Sequence, residues 1–171
     1  MRSILPPPPP RLALHLADEA ATLALGALLA PALQPGMSVH LRGELGAGKT
    51  TFARGLLRAL GYEGKVKSPT YSLVELYTVS RLHLYHFDFY RFNDPKAWQD
   101  SGFREHFNDA SVCLVEWPEK AGAALPRPDL LVTLTPAVSG REVALEAYTE
   151  AGRQCLTSVA AIVSVPGWAQ A

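Results

Sequence analysis

Eight consecutive residues, Gly43-Glu44-Leu45-Gly46-Ala47-Gly48-Lys49-Thr50, carry the densest chemistry in the chain. They match the phosphate-binding loop pattern G-x-x-x-x-G-K-[ST] at every fixed position. A phosphate chain concentrates negative charge. Such a loop answers it with unpaired backbone N–H groups and the positive end of a helix dipole. Gly43, Gly46 and Gly48 let the backbone bend and come close without a Cβ in the way. Lys49 is spaced to reach β- and γ-phosphates, and the Thr50 hydroxyl to ligate Mg²⁺. A glycine-rich turn before a helix also fits the letters, so the flanking elements matter. Residues 39–41 read as a short strand and residues 52–60 as a helix that Gly61 is placed to stop.

Two carboxylates stand out beyond the loop. Glu116 ends the apolar run 112–115, which reads as a strand buried on both faces. A carboxylate there can hold Mg²⁺ directly or through water, or it can simply end a strand. Trp117 follows it, in packing or in the site. Asp88 closes the longest alternating run, 82–90. Leu82, Leu84, His86 and Asp88 fall on one face; His83, Tyr85, Phe87 and Phe89 fall on the other. Asp88 could orient an attacking water or hold a metal-bound one; it could also cap a turn or pair with Arg91. His86 reads as a satisfied core residue. Ser68 and Thr70 flank Pro69 between the loop helix and the next strand. They fit a γ-phosphate sensor and a plain Ser-Pro turn equally well.

The remaining chain must position these groups. Residues 12–16 alternate weakly, as an edge strand does. Asp18 caps a helix over 19–29, which Pro31 and Pro35-Gly36 end. Residues 61–67 form a loop and 73–77 a strand. Asn93-Asp94-Pro95 opens a short helix that Gly102 breaks, and 103–107 adds a turn or two. Residues 118–128 read as loop. Strands at 130–135 and 143–148 join through Ser139-Gly140 as an antiparallel hairpin, and 150–163 reads as a closing helix. The order implies an α/β fold: a three-layer, P-loop NTPase-like domain with a mixed, mostly parallel central sheet and a C-terminal antiparallel hairpin.

Composition narrows the class. The 171 residues suit one domain, and 48% hydrophobic with 19% charged residues is ordinary for a globular protein. The net charge of zero argues against strong unaided binding to nucleic acid. Cys113 and Cys155 lie in apolar runs and read as buried free thiols. No segment is apolar enough for a membrane span; 23–33 is short and broken by Pro31. Prolines 6–10 stand where a secretory signal needs an apolar stretch, so the expected location is cytoplasmic. The expected organisation is a Pro-rich leader at 1–10, one domain at 11–165 and a tail at 166–171.

Several stretches together resemble one family. They are Gly-Glu-Leu-Gly-Ala-Gly-Lys-Thr-Thr at 43–51, Val-Lys-Ser-Pro-Thr-Tyr-Ser-Leu-Val-Glu at 66–75, His-Phe-Asp-Phe-Tyr-Arg at 86–91, Ser-Gly-Phe-Arg-Glu at 101–105 and Leu-Val-Glu-Trp-Pro-Glu at 114–119. In this order they resemble the TsaE (YjeE) family, bacterial ATPases needed for threonylcarbamoyladenosine in tRNA. The family usually has Asp at position 44 and Leu at 89; Glu44 and Phe89 remove no needed group. The resemblance, over roughly residues 18–148, implies ATP and Mg²⁺ as ligands. It places the nucleotide on residues 43–51, including Glu44, Leu45, Ala47 and Thr51, with Ser68 to Thr70 as a switch-like loop. It implies Mg²⁺ on Thr50 and Glu116, and Lys49, Asp88, Glu116 and Trp117 at the catalytic centre. It also implies TsaB and TsaD as partners, with tRNA reached only through that assembly. The transfer to adenosine 37 belongs to TsaD; hydrolysis here would reset or activate the assembly.

Two other functions fit the loop. A small phosphotransferase, such as a nucleoside kinase, needs an acceptor pocket and an arginine-rich lid. Beyond Arg104 the only arginines are the widely spaced Arg127, Arg141 and Arg153, which weighs against it. A binding module holding ATP without hydrolysis is the third reading; Asp88 and Glu116 favour hydrolysis.

Overall fold

A computed structural model describes residues 5–80 and 82–170. Residues 1–4 of the expected leader and Ala171 of the expected tail lie outside the described residues. The strands are β1 (Arg11–Leu16), β2 (Ser38–Arg42), β3 (Val74–Val79), β4 (Leu82–Asp88), β5 (Ser111–Glu116), β6 (Leu130–Pro136) and β7 (Arg141–Ala147). They form one sheet in the order β1-β7-β6-β2-β5-β4-β3. The central strands β6, β2, β5 and β4 are parallel; β7 and β3 run antiparallel beside them, and β1 edges the sheet antiparallel to β7.

Helices α1 (Glu19–Leu29), α2 (Lys49–Ala59) and α5 (Glu150–Val163) bring apolar faces to one large core; α3 (Pro95–Ser101) and α4 (Pro118–Ala121) belong to the other side. Side-chain alternation separates the two cores. Leu84 of β4 and Val112 and Leu114 of β5 join the large core. Phe87, Cys113 and Val115 point the other way, into an aromatic core with Phe89, Phe92 and Trp98. The two faces read from residues 82–90 are therefore the two faces of the sheet. Asp18 caps α1 by accepting from the Ala21 N–H, and Thr149 caps α5 through Gly152.

α1 and α2 cross closely at two glycines. A Cβ on Gly26 would overlap the Phe52 carbonyl oxygen, and one on Gly55 the Leu23 carbonyl. That contact seats α2, and the loop at its N-terminus, against the sheet.

Three local expectations shift. Helix α2 begins at Lys49, not at residue 52, because Gly48 takes the left-handed conformation (φ 107°) and turns directly into the helix. The stretch 118–128 is not all loop. Pro118, with its fixed φ, opens the single turn α4, and residues 122–124 add a 3₁₀ turn. β3 starts after Leu73, itself at φ 70°, rather than at it. At the ends, Pro10 is anchored by the Ala147 N–H, and Trp168 packs on the large core. Among the described residues, no helix is long and apolar enough to cross a membrane.

His40 of β2 is 6% exposed, and its Nε2 has no partner among the described residues. Burial, aided by the Arg42 charge, lowers its pKa from 6.5 to about 4. The unfolded chain thus takes up the proton first, and stability falls as pH drops from 6.5 towards 4. Between pH 7 and 5 the loss from this residue is about 2 kcal/mol. Urea unfolding at both pH values should show wild type losing that much more than His40→Gln. Parallel losses in the two proteins would clear His40 as the source.

Candidate functional site

The parallel strands deliver their C-terminal ends to one place, where open α/β sheets bind ligands. β2 ends at Arg42 and runs into the loop. β5, beside it, ends at Glu116, and β4 ends at Asp88, directly paired with Glu116 in the register. The loop, the ends of β4 and β5 and the segment 68–70 enclose a cleft of about 350 Å³.

The Ala47 N–H closes a turn onto the Glu44 carbonyl at 3.0 Å. The backbone N–H groups of Gly46, Gly48, Lys49 and Thr50 find no acceptor among the described residues. Space above Gly46 is open: a Cβ there would meet nothing within 4 Å. This is an anion cradle at the N-terminus of an eleven-residue helix. Gly43, Glu44 and Ala47 act from underneath. Gly43 packs so closely that a Cβ would lie 2.6 Å from the Leu134 carbonyl oxygen. Glu44 contributes its carbonyl, and Ala47 is buried.

Lys49 is buried and turned back on its own loop. Its ammonium donates to the Gly43 carbonyl and, at 2.8 Å, to that of Glu44. It also lies 4.4 Å from the centre of the Trp117 ring. Burial holds its pKa below the usual lysine value, against the pull of Glu116, Asp88 and Glu119. Trp117 sits in the left-handed region (φ 57°), an uncommon conformation for a bulky residue. Tyr90 packs on its ring at 5.0 Å.

Glu116 is the most enclosed carboxylate. It accepts from the Thr50 hydroxyl (3.1 Å to Oε1), from Ser68 Oγ (3.2 Å to Oε2) and from His86 Nε2 (2.7 Å to Oε2). Burial works to raise its pKa. The hydrogen bond and field of His86, the Thr50 hydroxyl and the Lys49 charge outweigh that and hold it below the ordinary glutamate value. Asp88 accepts from Ser68, from Thr70 at 3.2 Å and from the Tyr90 N–H at 2.8 Å. Ser68 therefore bridges the two carboxylates, and Ser68-Pro69-Thr70 is tied into the cleft rather than free.

The donors fit Mg²⁺. Two neighbouring ligands in an octahedron with bonds of about 2.1 Å lie about 3.0 Å apart. Thr50 Oγ1 and Glu116 Oε1 are 3.1 Å apart. The unpartnered N–H groups and Lys49 have the chemistry to receive phosphate oxygens.

Three lining residues were not anticipated: Glu19, Tyr90 and Arg141. Arg141 lies against Gly48 and donates to the Ala47 carbonyl at 2.9 Å. It starts β7, 94 positions from the loop, and no local pattern marks it. Of the other late arginines, Arg127 stacks on Tyr148 and Arg153 pairs with Glu150. Arg91, beside Asp88 in sequence, stacks on the exposed Tyr71 ring at 4.2 Å.

Gly48→Ala tests the cradle. The new Cβ would overlap the Arg141 guanidinium, and φ 107° is strained for alanine by about 1–3 kcal/mol. Calorimetry should show ATP affinity reduced by roughly tenfold or more, with circular dichroism unchanged. Full affinity in the folded variant would mean the loop does not approach phosphate here.

Comparison with known proteins bears on the family and the fold. The family model described as threonylcarbamoyl adenosine biosynthesis protein TsaE matches residues 16–143. The tRNA threonylcarbamoyladenosine biosynthesis protein TsaE of Haemophilus influenzae is 40% identical over 149 residues, 84% of this chain and 94% of that protein. Its counterpart in Bacillus subtilis is 40% identical over 113 residues, 66% of this chain and 70% of that one. The crystal structure of Bacillus subtilis YdiB superposes with a TM-score of 0.78 at 29% identity, over 90% of this chain and 96% of that one. The P-loop fold and the match across most of the domain lead to one assignment: this chain belongs to the TsaE family of threonylcarbamoyladenosine biosynthesis proteins.

Proposed function

We propose that this protein is a Mg²⁺-dependent ATPase, slow alone, that serves threonylcarbamoyl modification of adenosine 37 in tRNA together with TsaB and TsaD. The observation that carries the ATPase reading is the meeting of an open anion cradle with two buried carboxylates at one cleft. Family membership carries the tRNA reading. The net charge of zero suits a protein that meets tRNA through its partners, in the cytoplasm, rather than by itself.

Each residue has a task in this reading. Gly46, Gly48 and Lys49 donate backbone N–H groups to the phosphates, with Leu45 and Thr51 flanking them. Lys49 leaves the Gly43 and Glu44 carbonyls for the β- and γ-phosphate oxygens. Thr50 and Glu116 would hold Mg²⁺, which when bound would supply charge neutralisation to the phosphates. Asp88 orients the attacking water. A carboxylate offers about four acceptor sites. Ser68, Thr70 and Tyr90 fill three on Asp88, which fixes the carboxylate and leaves room for one more donor. Trp117 holds Lys49 before the nucleotide arrives, and Arg141 adds positive charge beside the loop.

Slow turnover follows from the cations. Arg91 is engaged by Tyr71, and Arg141 by the loop backbone. A partner that supplies or re-aims a positive group accelerates such sites by roughly 10³–10⁵-fold. Exposed apolar residues beside the cleft, Leu45, Tyr71 and Tyr90, offer that partner a surface.

Two measurements test this. Glu116→Ala should weaken ATP binding in Mg²⁺ more than in chelator; equal losses would leave Glu116 a strand end. Steady-state phosphate release should rise when TsaB and TsaD are added to wild type. Asp88→Ala should lack that rise while binding ATP nearly as tightly. Wild type alone turning over as fast as the assembly would refute the partner-completed site.

A further inference from the structure

His86 has no task in the reaction described above, yet it touches the group at its centre. Its ring is fully buried in β4, beside Leu84 on the same face of the sheet. Nε2 lies 2.7 Å from Glu116 Oε2. A carboxylate only accepts here, so Nε2 carries the proton and donates. The other ring nitrogen, Nδ1, is buried with no partner among the described residues.

That combination is informative. A buried ring nitrogen without a partner, whether donor or acceptor, destabilises the fold. A leucine would fill most of the same volume without that cost. What it lacks is a donor facing Glu116. The useful end of this ring is therefore Nε2, and packing alone does not account for the residue.

We propose that His86 is the positioning residue for the Mg²⁺-binding carboxylate, its Nε2–H fixing Glu116 Oε2 so that Oε1 faces Thr50. The two oxygens of Glu116 have different surroundings. Oε2 takes His86 and Ser68, whereas the closest donor to Oε1 is Thr50. The Thr50 hydroxyl is 3.1 Å from Oε1 and 3.4 Å from Oε2, so the rotation of the carboxylate decides which oxygen forms the metal edge. Ser68 belongs to a segment that also bonds Asp88, and its hydroxyl has one proton for both acids. His86 sits on a rigid central strand and has no competing acceptor. It is the donor able to hold Oε2 while Ser68 rearranges. Donors behind metal ligands typically contribute 10–100-fold in metal affinity.

The inference rests on the Mg²⁺–ATP reading, and the experiment separates the two. ATP dissociation constants are measured in Mg²⁺ and in chelator for wild type, His86→Gln and His86→Leu. The Gln amide nitrogen reaches about as far as Nε2 and keeps the donor; Leu removes it. The Mg²⁺-dependent gain in affinity should fall 10–100-fold in His86→Leu and stay within a few-fold of wild type in His86→Gln. Chelator values should match in all three. An undiminished gain in His86→Leu overturns the proposal, as do equal losses in both variants, which would make the effect one of packing. Wild type with no Mg²⁺-dependent gain overturns the metal reading itself. A second measurement needs only wild type. The imidazole Nε2–H proton, followed by ¹⁵N-edited NMR, should stay protected from exchange when ADP and Mg²⁺ are added. Its loss in the metal-nucleotide complex would show that His86 releases Glu116, and would overturn the proposal whether or not the variants fold.

Discussion

Two carboxylates lie side by side at the end of the sheet, nearly without solvent, and the surrounding structure is arranged to keep them there. Glu116 and Asp88 are direct register partners on β5 and β4, 2% and 3% exposed. Buried charges persist only when neighbouring groups satisfy them. Here the neighbours come from four separate parts of the chain. Thr50 belongs to the loop helix, Ser68 and Thr70 to the following segment, His86 to β4, and the Tyr90 N–H to the turn after it. Lys49 adds the compensating charge. None of these groups is local to Glu116, so the site exists only when the sheet is assembled.

The loop across the cleft stores the opposite problem. Its N–H groups and its lysine face the cleft, and the partners that the lysine has are neutral ones. The Lys49 ammonium takes two carbonyls of its own loop and the face of Trp117. Burial without a paired carboxylate lowers its pKa, which is the expected sign for a cation short of a partner. In the proposed reading a phosphate chain would exchange these neutral partners for a charged one. The α1–α2 contact at Gly26 and Gly55 gives that exchange a rigid floor, since the helix bearing the loop cannot back away from it.

The backbone at Trp117 and Leu73 shows where the surroundings override local preference. Both take φ near 60–70° without being glycine. Trp117 is turned so that its ring meets Lys49 and Tyr90. Leu73 ends the segment carrying Ser68 and Thr70, and its carbonyl accepts the Asp88 N–H. Such residues cost free energy that packing elsewhere must offset; of the three among the described residues, these two adjoin the site and Ser80 lies away from it, bonded to the Leu60 carbonyl.

Much of this was readable in the residues, for a physical reason. Helix α1, its Asp18 cap, the two faces of β4, the hairpin and α5 all rest on short-range rules: alternation, capping and turn chemistry act within a few residues. The phosphate loop is also local, since one turn of backbone and the next two side chains make it. Glu116 and Asp88 were legible as strand-end carboxylates because an apolar or alternating run points at each. What no local rule contains is which distant groups meet. Arg141 reaches Ala47 across 94 positions, Thr50 reaches Glu116 across 66, and His86 reaches it across 30. The strand order β6-β2-β5-β4 brings them together, and that order follows from burying both faces of the whole sheet at once. The pattern in the sequence could say that His86 is buried. Only the register of β4 on β5 decides that its ring ends against a carboxylate.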